Sequence, residues 1–241
     1  MAENKLKRLN SVQLTGRINV KRRNEQNDSL FVVLSVSTPK SAIASRNPDE
    51  GWNRDYPAMT FTGDLAKEID EKYEVGDRLS VIGKMDTRQR MAYEGNRTYK
   101  EVWEPIILPE VALPAAQRLD ANVVAFCGEV IRVYRNPDQG KKFYMITLRL
   151  PGVEDRDARA TFTYFDPRME LEPQVGEIVY AGGAIQTKRE NVDVDGRERT
   201  RFIMSVVSRN VIMQRDKAER PAVENDGENV PQQEDDDDIA I

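Results

Sequence analysis

The sequence predicts a mainly β protein: two tandem copies of one small five-stranded barrel, followed by a disordered acidic C-terminal tail. Three observations carry this expectation. Residues 10–39 lie over residues 122–151 at a constant spacing of 112, with no gap. In both copies apolar residues alternate with polar ones, the period-2 pattern of half-buried strands. From Asp216 onward the chain has no aromatic residue, and ten acidic side chains stand against Lys217 and Arg220. Such a segment cannot bury enough apolar surface to fold.

The elements follow in order. Identities across the repeat fall at Asn10/Asn122, Val12/Val124, Gly16/Gly128, Arg23/Arg135, Asn24/Asn136, Phe31/Phe143 and Pro39/Pro151. The spacing then drops to 101, where Thr60-Phe61-Thr62 meets Thr161-Phe162-Thr163, and to 100, where Val75-Gly76-Asp77 meets Val175-Gly176-Glu177 and Gly83 meets Gly183. In the first copy Val12, Leu14, Ile18 and Val20 mark a strand, a turn-rich stretch over 24–29 follows, and residues 30–37 form a second strand dense in Val and Leu. A third strand over 58–63 runs into a helix capped by Asp64, with Leu65, Ile69 and Tyr73 on one face. Gly76-Asp77 turns the chain into a fourth strand over 78–86, and a polar hairpin around Gly95 leads to a fifth over 99–108. In the second copy the helix shrinks to about a turn, with Asp166 as cap and Pro167 at its first position. Five strands with a helix between the third and fourth is the order of an OB-fold, a Greek-key barrel that commonly binds single-stranded nucleic acid or oligosaccharide. The expected organisation is a first barrel over 1–109, a linker over 110–121, a second barrel over 122–214 and the tail over 215–241.

Composition excludes much else. Among 241 residues there is no histidine and one cysteine, Cys127. A His/Cys zinc site, a Ser-His-Asp triad and a Cys-His pair are therefore absent, as is an intrachain disulfide. No run approaches the roughly 18–20 apolar residues of a membrane span, and no signal peptide is recognised. No cofactor and no metal is expected, nor an enzyme, and a cytoplasmic setting fits the single cysteine. The net charge of −5 hides two regions: the tail carries −8, while residues 1–215 hold 34 basic against 31 acidic residues, a net of +3.

Binding single strands without reading sequence needs cations for the phosphates and flat side chains for the bases. The loop over 40–56 supplies Lys40, Arg46 and Arg54 interleaved with Trp52 and Tyr56. The hairpin over 84–100 supplies Arg88, Arg90, Arg97 and Lys100 around Tyr93 and Tyr99. The second barrel is poorer in both ingredients: Tyr164 and Phe165 are its stacking candidates, and Arg135, matched by Arg23, is a phosphate candidate in both copies. The first barrel is therefore expected to carry more of the strand. Trp103 reads as core or interface, and Cys127, in place of Thr15, as a small core residue.

The first copy resembles the bacterial-type single-stranded-DNA-binding protein family. Residues 10–17 are similar to that family's opening strand, residues 56–66 to its third strand and helix start, and residues 74–85 to its fourth strand with the glycine pair. The tip Asp235, Asp236, Asp237, Asp238, Ile239, Ala240 and Ile241 resembles the family's acidic C-terminal tip, which recruits replication and repair proteins. Three departures are plain. The family tip ends in Pro-Phe; most members carry one barrel per chain; and Tyr56 stands where the family has tryptophan, with Thr62 and Arg90 or Met91 where aromatics are expected. The resemblance implies sequence-independent binding and protection of single-stranded DNA in replication, recombination or repair, in a homodimer presenting four barrels, in a bacterial or phage-infected cytoplasm and without a membrane. Two other readings stay open: an interaction scaffold of a replication complex with little nucleic-acid binding of its own, and a metal-dependent nuclease using Asp193, Asp195 and Glu198.

Overall fold

The alternation becomes strand where it is expected: Val12, Leu14 and Ile18 are buried while Gln13 and Arg17 are exposed along β1 (Leu9–Asn24). The structure, a computed structural model, describes residues 8–39, 52–95, 98–115, 119–136, 142–152, 156–166, 171–194 and 197–214. The first barrel adds β2 (Ser29–Pro39), β3 (Trp52–Asp55), β4 (Ala58–Thr62), α1 (Gly63–Lys72), β5 (Arg78–Gly95) and β6 (Thr98–Pro114). The second comprises β7 (Ala121–Asn136), β8 (Phe143–Pro151), β9 (Asp157–Phe165), β10 (Ile178–Val194) and β11 (Arg197–Gln214).

Both barrels close in the same way. β1 pairs with β2 and with β5, β2 with β4, β5 with β6, and a parallel contact of Met59 with Ile107 joins β4 to β6. In the second barrel β7 pairs with β8 and β10, β8 with β9, and β9 lies parallel to β11. This is the expected pair of tandem OB-folds. Phe61, Leu14, Leu34 and Met85 fill the first core and Phe126, Phe162 and Ile146 the second, each side chain contributing about 1.5–3 kcal/mol by leaving water.

The repeated Val-Gly-acid turn has a structural cause. β1 carries a bulge between Ile18 and Val20, and β7 one between Val130 and Arg132. Ile18 donates to the Asp77 carbonyl and accepts from Gly76 N, both at 2.8 Å; Val130 does the same with Glu177 and Gly176. The glycines hold φ of +101° and +94°, a region where a side chain is strained.

The structure departs from the sequence reading in several places. Arg17 faces Ser35, whereas Glu129 faces Arg149. Position 17 maps to 129 by 112, but 35 maps to 149 by 114. The two extra residues lie between β7 and β8, where six residues connect the strands against four between β1 and β2. A two-residue slip keeps every side chain on its own face, so an ungapped overlay still matched apolar to apolar. The helix is capped by Thr62 without a side-chain hydrogen bond, and Asp64 sits in the first turn, where its charge suits the helix dipole. β5 and β6 run on as a long hairpin beyond the predicted ends, and β6 continues to Pro114 inside the stretch read as linker. Residues 167–170 and the tail lie outside the described residues; Asp166 accepts the Leu171 N–H at 2.9 Å.

β1 also pairs antiparallel with β7, with Val12 opposite Val124, so that one sheet runs through both barrels. Asp120, in the connection, accepts the Ser37 N–H at 2.8 Å and pairs with Arg78 at 2.7 Å. Burial pushes its carboxyl up, but these donors outweigh it and hold Asp120 below the usual carboxylate range. A depressed carboxyl stabilises the fold above its unfolded pKa and loses that contribution as pH falls through the folded value. Asp120→Asn is expected to cost about 1–3 kcal/mol at neutral pH. In denaturant unfolding, its gap to the wild type should narrow below about pH 4.

Candidate nucleic-acid interface

The ligand side of an OB-fold is the outer face of its second and third strands, between the loops that flank them. In the first barrel these strands are β2 and β4, on which Phe31 faces Thr60 and Ser29 faces Thr62. Phe31 is 39% exposed. Its face runs into a groove of about 1030 Å³ whose walls include Thr60, Thr62, Arg88 and Trp103, with Ile203 and Met204 contributed by β11. Trp103 is not a core residue: it is 55% exposed. Alternation puts it in step with the buried Ile107, so strand pattern alone reads it as inward; it is exposed because the β5–β6 hairpin carries it beyond the barrel. Phe31 was visible as a repeated residue but not as an exposed one.

The other candidates divide. Arg54 is exposed on β3, opposite Ser37 in register. Tyr56 is half-buried at the junction of the barrels, where its N–H donates to Thr187 Oγ1 at 2.9 Å. Asp55 beside it is buried and accepts the Thr187 N–H at 2.8 Å. Trp52 belongs to a strand rather than a free loop, paired through its backbone with Pro39. On the long hairpin Tyr93 faces Tyr99, Ala92 faces Lys100 and Arg90 faces Val102. The side chains of Trp52, Arg90, Tyr93, Tyr99 and Lys100 lie outside the described residues, as do Lys40, Arg46 and Arg97 entirely.

Three candidates are placed off the ligand face. Arg23 pairs with Asp28 and, at 3.2 Å, with Asp70 of α1, so its charge is committed to closing the barrel end. Arg135 occupies the same position in the second copy and belongs to the cross-strand row Arg135–Tyr144–Tyr164. In that row Tyr144 is buried and Tyr164 packs against the core. Burial pushes the Tyr144 phenol up, with Arg135 pulling it back and Asp166 and Glu172 adding to the rise. Phe165, one residue beyond Tyr164, turns to the outer face and meets Phe143 edge-on, ring centres 5.8 Å apart.

Cys127 is buried, and burial pushes its thiol up. It lies on the outer face of β7, between its register partners Leu9 and Tyr180, rather than in a barrel core. Among the described residues no group of three or more His, Cys, Asp or Glu could hold a metal ion. Asp193 faces Glu198 in register, but their side chains and Asp195 lie outside the described residues.

No family model and no curated protein sequence matches the chain. Among solved structures, the chain is similar to the wild-type single-stranded DNA binding protein from Thermus aquaticus, with 18% identity and a TM-score of 0.62 over 88% of this chain and 95% of that one. A deletion variant of the same protein gives the same identity and TM-score over 90% and 98%. The likeness is one of fold. At 88% of this chain it takes in residues of both barrels.

With Trp52→Phe, Trp103 is the one tryptophan left. Its emission should be that of a water-exposed indole and should be readily quenched by iodide; a blue-shifted, protected emission would contradict the exposed placement.

Proposed function

We propose that the chain binds single-stranded DNA without reading its sequence, and that it does so in replication, recombination or repair. The observation that carries this reading is the first barrel's ligand face, where exposed Phe31 and Trp103 stand beside Arg88 in an open groove. Every base has a π face, so exposed rings hold any base, and stacking contributes about 1–3 kcal/mol per base. Guanidinium groups hold phosphates and make binding depend on salt. The fold likeness to the single-stranded DNA binding protein from Thermus aquaticus supports the reading. The −8 tail is proposed to compete with DNA for the +3 body and, once displaced, to offer its last seven residues to partner proteins. The near balance of charge in the body is what favours the scaffold as a second reading.

In filter binding, log affinity for oligo-dT should fall with log salt by about 0.7 per phosphate contacted, and duplex of equal length should bind more weakly. Duplex binding as tight as single-strand binding would refute sequence-independent single-strand recognition, and no binding to either would leave the scaffold.

We also propose that the chain is a homodimer. The sheet β6-β5-β1-β7-β10-β11 crosses both barrels, and its outer face carries Leu113, Val111, Ile82, Val123, Tyr180 and Ile212, between 36% and 64% exposed. Gln13 stands between Ile82 and Val123, but monomers seldom leave so many apolar side chains on one face in water. A two-fold axis between two copies would bury this face against its own counterpart, as in an isologous interface. Light scattering should give twice the chain mass for the wild type and the monomer mass for Ile82→Asp with Ile212→Asp.

A further inference from the structure

Among the described side chains, the outer face of the second barrel's first three strands carries more rings than the equivalent face of the first. On the outer face of β7, β8 and β9 the register sets four cross-strand rows: Glu129–Arg149–Arg159, Arg132–Thr147–Thr161, Tyr134–Met145–Thr163 and Asn136–Phe143–Phe165. The last two rows bring three rings together. Tyr134 and Phe143 are diagonal neighbours with centres 6.4 Å apart, and Phe143 meets Phe165 at 5.8 Å. Tyr134 is 53% and Met145 40% exposed. In the first barrel, corrected for the two-residue slip, the same two rows read Arg22–Phe31–Thr60 and Asn24–Ser29–Thr62, with one ring.

The rest of the face is basic. Arg132 and Arg159 are exposed and form no ion pair among the described residues. Of the acids there, Glu129 and Asp157 are paired with Arg149 at 3.3 and 3.8 Å, and Asp86, which accepts the Arg159 backbone N–H at 3.0 Å, is paired with Arg156 at 3.3 Å. Arg132 stands in the middle row, next to the rings, where Thr147 and Thr161 share a hydrogen bond of 2.9 Å and keep the rest of the row small. Rings at one end and unpaired guanidinium groups beside and beyond them complement a chain of bases and phosphates. An apolar protein partner would leave these cations buried and unpaired, at a cost.

We infer that this face is the chain's principal base-stacking surface, with Tyr134, Phe143 and Phe165 holding bases and Arg132 and Arg159 the adjoining phosphates. It rests on the single-strand reading above, and it reverses the division of labour expected from the loops, in which the first barrel leads. Phe165 was a candidate from the sequence; Tyr134, Phe143 and the two arginines were not.

Two measurements on the full chain test it. Tyr134→Ala with Phe165→Ala should weaken oligo-dT binding at least twentyfold, and Phe31→Ala by fivefold or less, with thermal melting run on each variant. Independently, wild-type chain irradiated with oligo-dT containing 5-iodouracil should give adducts on Tyr134, Phe143 or Phe165. If the wild type binds while the double variant binds equally well, or if the adducts fall only on the first barrel, this assignment is wrong and single-strand binding stands. If the double variant fails to fold, the adduct positions alone decide. A wild type that does not bind oligo-dT overturns both readings.

Discussion

The antiparallel pairing of β1 with β7 is the contact on which the rest of the molecule depends. Because equivalent strands of the two copies face each other with Val12 opposite Val124, a local two-fold axis relates the barrels. Asn10 and Asn122 lock that axis. Asn10 exchanges hydrogen bonds with Met85 N and O at 3.0 and 2.8 Å and reaches Pro151 O at 2.9 Å. Asn122 does the same with Ile185 and reaches Thr38 Oγ1. An amide side chain carries both a donor and an acceptor, so it can close a strand edge and still bridge to the neighbouring barrel. That is a physical reason for the same residue at the head of both copies.

From this pairing follows a sheet that spans both barrels and turns an apolar face outward; on β7 that face begins at Val123 and passes to Glu129, Arg132 and Tyr134 along the same strand. The seam between the barrels is polar and satisfied: Thr87 Oγ1 donates to Arg159 O at 2.7 Å, and Thr187 meets Asp55 at the equivalent place. A buried carboxylate is tolerated there because it accepts hydrogen bonds, and removing them would leave its charge unpaired. The two barrels are thus held as one unit.

Within that symmetry the copies have diverged where the fold permits it. The bulge, the Val-Gly-acid turn and the glycines recur because backbone geometry demands them: a Cβ on Gly16 would lie 2.5 Å from Ser35 O, and one on Gly128 2.3 Å from Arg149 O. The outward rows of the strands carry no such demand. There one copy holds serine and threonine where the other holds phenylalanine, and binding character can change without disturbing the core.

Strand order, the tandem barrels and the identities at the bulges were legible in the sequence, because alternation, glycine and turn chemistry are local and leave a period in the chain. The exposed state of Trp103, the commitment of Arg23 to Asp28 and Asp70, and the inward turn of Tyr164 were not. Each depends on which face of a strand points to the core, and on which residue of another strand stands opposite. A two-residue slip between β7 and β8 is invisible to an overlay of period two, yet it decides that Phe143 stands beside Phe165 rather than in the row of Phe31. Periodicity determined that the chain forms strands, and their order with the helix between the third and fourth pointed to the barrel. Only the register across strands, a long-range property of the closed sheet, decided which rings and which cations share a surface.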